Sequence, residues 1–320
     1  MTEPQIIDFD AGISAVDTNY VRPGLDASHL IVEDGHAAFV DAGTSHSVPL
    51  LLEALASKNL EPAQVDWLLL THVHLDHAGG AGRLMAELPN ATAVLHPRGA
   101  PHMADPDKLI QGSIAVYGRD AFNSLYGEIV PIPAERIREV ADGERLNLNG
   151  RQLEFIHTEG HAKHHYCIVD RAADAIFTGD SFGLSYRELD TAAGPFIFPT
   201  TTPVHFDPEA AHASIERILS YRPRRVYLTH YSGVDNPQDL ADQLHGDLDA
   251  YVRIALAHRG DADPEPAICR DLTEWTFRRL DAHGFDPDPA RREHLIHLDM
   301  ELNAQGLTVW LKRLAKGART

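Results

Sequence analysis

Two cysteines, Cys167 and Cys269, are the only thiols in 320 residues, too few for a disulfide framework or a thiolate metal site. Long apolar runs are missing as well. No stretch approaches the ~18 residues that a bilayer span requires, and Met1 to Gly12 holds neither a basic segment nor an apolar core of secretory length. A soluble, cytoplasmic protein without a membrane partner is therefore expected. Basic charge is scarce too: 28 Lys plus Arg stand against 47 Asp plus Glu, a net charge of -19. Such a surface repels phosphate backbones and anionic headgroups, which argues against a nucleic-acid partner. Gly79, Gly80 and Gly82 lack the following Lys-Ser or Lys-Thr of a phosphate loop and read as a tight turn into a helix. By inspection there is no solenoid-length repeat and no low-complexity tract.

What the chain has is a hydrophobic fraction of 43%, ample for a packed core, and 20 histidines. Strand signals fall at Gln5 to Phe9, Ser28 to Val32 and Ala37 to Val40, the last two joined by the turn Glu33-Asp34-Gly35-His36. The pattern then alternates. A helix is expected from Val48 to about Ser57, a buried strand from Val65 to Leu70, a helix from about Ala81 to Glu87 and a strand from Thr92 to Leu95. Pro101 to Tyr126 reads as a helical excursion interrupted by Pro106 and Gly112. A second strand-rich half follows: Ile137 to Val140, Arg145 to Leu148, Gln152 to His157, Tyr166 to Val169 and Ala175 to Thr178. Asp207-Pro208 caps a helix to about Ser220, and Arg225 to Leu228 is the last strand signal. Beyond Gly233 only helices are expected: from Asn236-Pro237 to about Arg259, from about Leu272 to His283, and from Asp288-Pro289 to Ala304. An apolar stripe of Leu307, Trp310, Leu311 and Leu314 follows.

The histidines are unevenly placed. Thr71-His72-Val73-His74-Leu75-Asp76-His77 packs three imidazoles and a carboxylate directly after a buried strand. His72 and His74 are two apart and project to one side of an extended backbone, while the adjacent Asp76 and His77 diverge, so one turn can serve two cations. Further His and Asp residues follow other strands: His161 beyond the strand ending near His157, Asp180 after Ala175 to Thr178, and His230 after Arg225 to Leu228. Five imidazoles and two carboxylates make a nitrogen and oxygen donor set suited to zinc, iron or manganese. His245, His258, His283, His294 and His297 lie on expected helices without a shared spacing and read as ordinary surface or core residues.

The order His72-x-His74-x-Asp76-His77, His161, Asp180, His230, together with the turn Asp41-Ala42-Gly43 and the run Phe177-Thr178-Gly179-Asp180, resembles the metallo-β-lactamase fold superfamily over roughly residues 5 to 235. The resemblance implies an α/β fold, an αββα four-layer sandwich of two mixed β-sheets flanked by helices, in residues 1–235. Residues 236–320 would be a helical C-terminal module that covers the site or builds a homodimer. It further implies that His72, His74 and His161 bind one divalent transition metal ion and Asp76, His77 and His230 a second, with Asp180 bridging. Zn2+ leads the candidates, ahead of Fe or Mn. That ligand set looks like the hydroxyacylglutathione hydrolase and acyl-homoserine lactonase branches and unlike the β-lactamases proper. One departure stands out: the chain has Thr158-Glu159-Gly160-His161-Ala162 where the family often has Thr-Pro-Gly-His-Thr.

The expected activity is binuclear hydrolysis of a small-molecule ester, lactone or thioester by a metal-bridging hydroxide. Two cations about 3.5 to 4 Å apart lower the pKa of a shared water towards ~7. Asp76 is the candidate catalytic residue, and Asp41, Lys163, His165 and Tyr186 are candidates for contacts to substrate or to the ligands. The alternative is a metal-containing regulatory or ligand-binding protein of the same fold with little turnover. A nuclease would need a basic face that the charge balance disfavours.

Overall fold

The computed structural model describes residues 4–201, 204–286 and 288–317, so the last residues of the expected helical module, 318–320, and Pro287 before its last helix lie outside the described residues. The chain forms two compact units. The first comprises residues 1–157, 164–179 and 223–235, and the second residues 158–163, 180–222 and 236–320.

The first unit holds both sheets. Seven strands are hydrogen-bonded in chain order: β1 (Ile6–Asp8), β2 (Ile13–Asp17), β3 (Ala27–Glu33), β4 (His36–Val40), β5 (Val65–Leu69), β6 (Thr92–Leu95) and β7 (Ile137–Glu139). The first four run antiparallel, and β4 to β7 run parallel. The second sheet consists of β8 (Arg145–Leu148), β9 (Arg151–His157), β10 (Tyr166–Asp170), β11 (Ala175–Gly179), β12 (Arg225–Leu228) and β13 (Ser232–Asp235). Only its β11–β12 pair is parallel. Parallel neighbours need crossovers, and the helices supply them: α1 (Val48–Ser57), α2 (Leu75–Ala78), α3 (Ala81–Glu87), α4 (Ala100–Ala104), α5 (Asp107–Tyr117) and α6 (Arg119–Tyr126).

Period-two alternation sorts the residues of the first sheet into two cores. Leu30, Phe39, Leu68 and Ala93 face Val48, Leu51 and Leu55 of α1 and Leu84 and Met85 of α3. Their chain neighbours Ile31, Val40, Leu69 and Val94 pack instead with Leu153, Phe155, Tyr166, Ile168 and Phe177 of the second sheet. Helices, sheet and sheet thus form successive layers, as the two-sheet α/β expectation requires. Arg151, expected just outside its strand, opens β9 with a guanidinium that is 1% exposed and bonded to Asp170. The same group donates to the Ala11 carbonyl, linking the two sheets.

The second unit contains α7 (Pro208–Ser220), α8 (Pro237–Ala257), α9 (Glu265–Ala282) and α10 (Pro289–Gly317). The stripes Leu240, Leu244, Leu248 and Tyr251 on α8, Ile268, Leu272, Thr276 and Leu280 on α9, and Ile296, Met300, Leu307 and Trp310 on α10 are buried at helical spacing.

Several expectations need correction. Two strands, β2 and β13, are absent from the sequence reading. All five residues of β2 are buried, so no alternation betrays it. The excursion at Pro101 to Tyr126 is broken near Pro106 and at Gly118, where φ is +80°, while Gly112 sits inside α5. Asn236 precedes α8 in a left-handed conformation without a side-chain cap. The last two expected segments are one helix, because nothing between Ala304 and Leu307 breaks it and Gly306 is buried within it. Leu314 of the expected stripe is 46% exposed.

His29 on β3 has an acid-stability consequence. Its ring lies edge-on to Phe177 and Tyr227 and is 1% exposed, and burial pushes its pKa from 6.5 down to about 3. The unfolded chain therefore takes the proton first. The contribution of neutral His29 is complete above about pH 6.5 and is lost at about 1.4 kcal/mol per pH unit as pH falls towards 3. Urea midpoints between pH 4.5 and 7 should fall less steeply with acid for His29→Phe; identical slopes would exclude His29 as a source of acid lability.

Candidate metal centre

β5 ends at Leu69, and the chain bends at Thr71 before reaching His74, whose φ and ψ are -65° and 149°. His72 and His74 come together, as the spacing predicts: His72 Nε2 lies 2.9 Å from His74 Nδ1. At Leu75 the backbone turns helical and opens α2, which carries Asp76 and His77. Asp76 Oδ2 is 3.4 Å from His230 Nε2 and 3.7 Å from His77 Nε2. Asp76, His77 and His230 offer ligand atoms within 4.8 Å of one another. The His72 and His77 ring centroids are 4.0 Å apart, so the two groups adjoin.

The orientation of these rings is fixed from behind. His77 donates from Nδ1 to Asp41 Oδ2 at 2.9 Å, and His230 donates from Nδ1 to the Leu25 carbonyl at 2.9 Å. Each ring therefore gives its Nδ1–H to a buried acceptor and turns Nε2 toward Asp76. Asp41 follows β4 with φ +59° and is 1% exposed. It accepts the Thr71 amide (2.8 Å) and hydroxyl (2.8 Å) and the Thr229 hydroxyl (3.0 Å) as well. His165 is fully buried, with its ring 4.8 Å from that of His72. Gly179 makes room for it: a Cβ there would come within 2.6 Å of His165 Nε2 and 2.8 Å of Thr71 Oγ1.

Within the second unit, His161 Nε2 and Asp180 Oδ2 lie 3.4 Å apart, and both side chains are buried. Gly160, with φ +126°, lets the segment before His161 press against α7, where a Cβ would meet the Ala211 amide at 2.4 Å. Tyr186 is buried and its hydroxyl donates to Asp299 at 3.0 Å, while Lys163 is exposed. His157 ends β9 as a strand residue and donates to the Val140 carbonyl at 3.0 Å.

Asp26 escapes the sequence reading. It is fully buried, with Oδ2 accepting from Thr18 at 2.8 Å and Oδ1 unpartnered among the described residues. Burial raises its pKa to about 7, and the nearby His230 and His77 oppose that shift. Its neighbour Leu25 holds His230. No local spacing signals such a residue, since only the sheet topology brings Leu25 to Thr229 and His230.

Imidazole and carboxylate donors gathered at strand ends, with tautomers set by buried acceptors, define a metal-binding α/β protein. The chain belongs to the metallo-beta-lactamase superfamily, whose sequence model matches residues 21–230, about two thirds of its length. Members of this superfamily bind divalent metals and are generally hydrolases. A metallo-beta-lactamase fold-containing protein of Sulfurisphaera tokodaii is 26% identical over 227 residues, 69% of this chain and 78% of that protein. The hydroxyacylglutathione hydrolase of Aeromonas hydrophila is 29% identical over 192 residues, 60% of this chain and 55% of that enzyme. The chain thus matches only about half the length of that hydrolase. Among solved structures, an archaeal metallo-beta-lactamase superfamily protein superposes with a TM-score of 0.64 at 21% identity, covering 93% of this chain and 98% of its own. A metallo-beta-lactamase family protein from Thermus thermophilus follows at 0.63 and 18%, covering 98% and 92%.

Asp41→Asn keeps the shape but places an amide N–H among groups that all donate. Affinity for Zn2+ in a chelator competition should fall about 10- to 100-fold through loss of the His77 orientation. An unchanged affinity would show that Asp41 does not position the ligands.

Proposed function

We propose that this chain is a binuclear metal-dependent hydrolase acting on a small ester, lactone or thioester. The observation that carries the reading is the convergence of Asp76, His77 and His230 beside His72 and His74, with the His77 and His230 Nε2 atoms already turned toward Asp76. The donor set fits divalent ions, since it consists of imidazoles fixed as ligands and a carboxylate, without thiolates. His72 and His74 would hold one ion, and Asp76, His77 and His230 the other. His161 and Asp180 are proposed to complete the set, His161 at the first ion and Asp180 between the two; their burial as a close pair supports this role. Zn2+ is the proposed metal. When bound, such ions supply a hydroxide nucleophile at neutral pH and polarise a carbonyl oxygen.

The protein's own groups do the rest. Asp76 is 23% exposed while His77 is 0% and His230 7% exposed, so of these three it is the one that faces incoming substrate. Its carboxylate can accept a proton during attack and return it to the leaving oxygen or sulfur. Asp41 and the Leu25 carbonyl keep the imidazoles from rotating. Burial of the remaining groups limits water and strengthens each electrostatic contact. The kinship with hydroxyacylglutathione hydrolases supports acyl transfer to water over other chemistries.

A panel of lactones, aryl esters and acyl thioesters offered to metal-loaded protein should reveal turnover with at least one class. Asp76→Ala should lower kcat about 100-fold or more, on the scale of a lost acid–base group. Full metal content without turnover on any class would favour the regulatory alternative.

A further inference from the structure

The helices α7 and α8 each carry a histidine followed four residues later by an acid: His212 and Glu216 on α7, His245 and Asp249 on α8. The two helices pack together, and the four side chains pair crosswise between them. His245 Nε2 lies 3.0 Å from Glu216 Oε1, and His212 Nε2 lies 3.3 Å from Asp249 Oδ1. A carboxylate can only accept, so the hydrogen bond to Glu216 puts the His245 proton on Nε2 and leaves its Nδ1 as a lone pair, while Asp249 stands beside His212 Nε2 as an ion-pair neighbour. The two Nδ1 atoms face each other at 2.6 Å in rings tilted by only 11°, so His212 Nδ1–H donates to the His245 lone pair. A divalent ion that displaced that one hydrogen would meet a lone pair on each ring.

We propose that the His212 and His245 Nδ1 atoms form a second, separate binding site for a divalent transition metal ion on the α7–α8 surface. Metal-bound histidines place one ring nitrogen on the ion and the other beside a carboxylate, and here each ring has a carboxylate within 3.3 Å of its Nε2. At bond lengths of about 2.0 to 2.1 Å and a tetrahedral angle, the two nitrogens would sit about 3.3 Å apart. The rings need to part by only about 0.7 Å from their present positions. Water would fill the remaining coordination positions, since Glu216 and Asp249 are 69% and 64% exposed and nothing lies within 4 Å above Gly246. Cu2+ and Zn2+ suit such a site best among the divalent ions. A bound ion would clip α8 to the helix that also holds the His161 segment, for Ser214 of α7 donates to the Glu159 carbonyl and the Asp207 amide to that of Gly160.

The test is equilibrium dialysis of the full chain, already loaded with metal, against Zn2+, followed by elemental analysis. Wild type should retain one Zn2+ per chain more than His212→Ala or His245→Ala, with circular dichroism unchanged among the three. Glu216→Gln and Asp249→Asn should each weaken binding of that ion about 10- to 100-fold. Because the readout is a difference between wild type and the histidine variants, it holds whatever number of ions the strand-end cluster takes. Equal metal counts in wild type and both histidine variants would overturn the proposal, leaving the hydrogen bond between the two rings as the whole of the contact.

Discussion

A carboxylate sealed away from water is costly unless donors fill its lone pairs, and Asp41 is a buried carboxylate so filled. Its donors come from two stretches far apart in sequence: Thr71 and His77 in the run after β5, and Thr229 after β12. One side chain therefore ties together two of the segments that carry candidate ligands. The interlock continues through the backbone. The Ala42 amide donates to the His77 carbonyl at 2.7 Å and the Gly80 amide to the Gly43 carbonyl at 2.9 Å. Gly80 has to be glycine at this approach, since a Cβ would come within 2.4 Å of the Thr44 carbonyl oxygen. The left-handed backbone of Asp41 itself is a local cost that the bonds around its carboxylate offset.

The sheets make this junction available. β4, β5 and β6 run parallel, so successive chain segments leave the sheet at one edge and their loops gather there, free of the strand ladder. The alternating residues behind those ends are committed to two cores and cannot shift register without exchanging faces. A rigid double core thus holds a loop cluster whose side chains are polar, mostly buried and orientated. The second unit holds a buried pair of its own, His161 and Asp180, of which His161 follows a segment braced by α7.

The seven candidate ligands were legible from residue type and spacing because each follows a strand whose apolar run is visible in one dimension. The two-sheet class was legible for the same reason. What was not legible depends on contacts between distant segments. β2 carries no alternation because every residue in it is buried, with Ser14 bonded to Asp8 and Asp17 accepting amides from Asn19 and Gly24. Asp26, Leu25 and Thr229 act through neighbours more than thirty positions away. Tyr186, a candidate for contact to substrate or to the ligands from its place after Asp180, donates its hydroxyl to Asp299 of α10, a partner that no local spacing announces. His245 looked incidental on its own helix and gained meaning only from His212 across the helix interface.

The central claim is that the loop after β5 divides two metal sites. Anomalous diffraction at the zinc edge from crystals of the metal-loaded protein tests it most directly. The account predicts two peaks in this region, one against His72 and His74 and the other against Asp76, His77 and His230. A single peak there, or none, would contradict it.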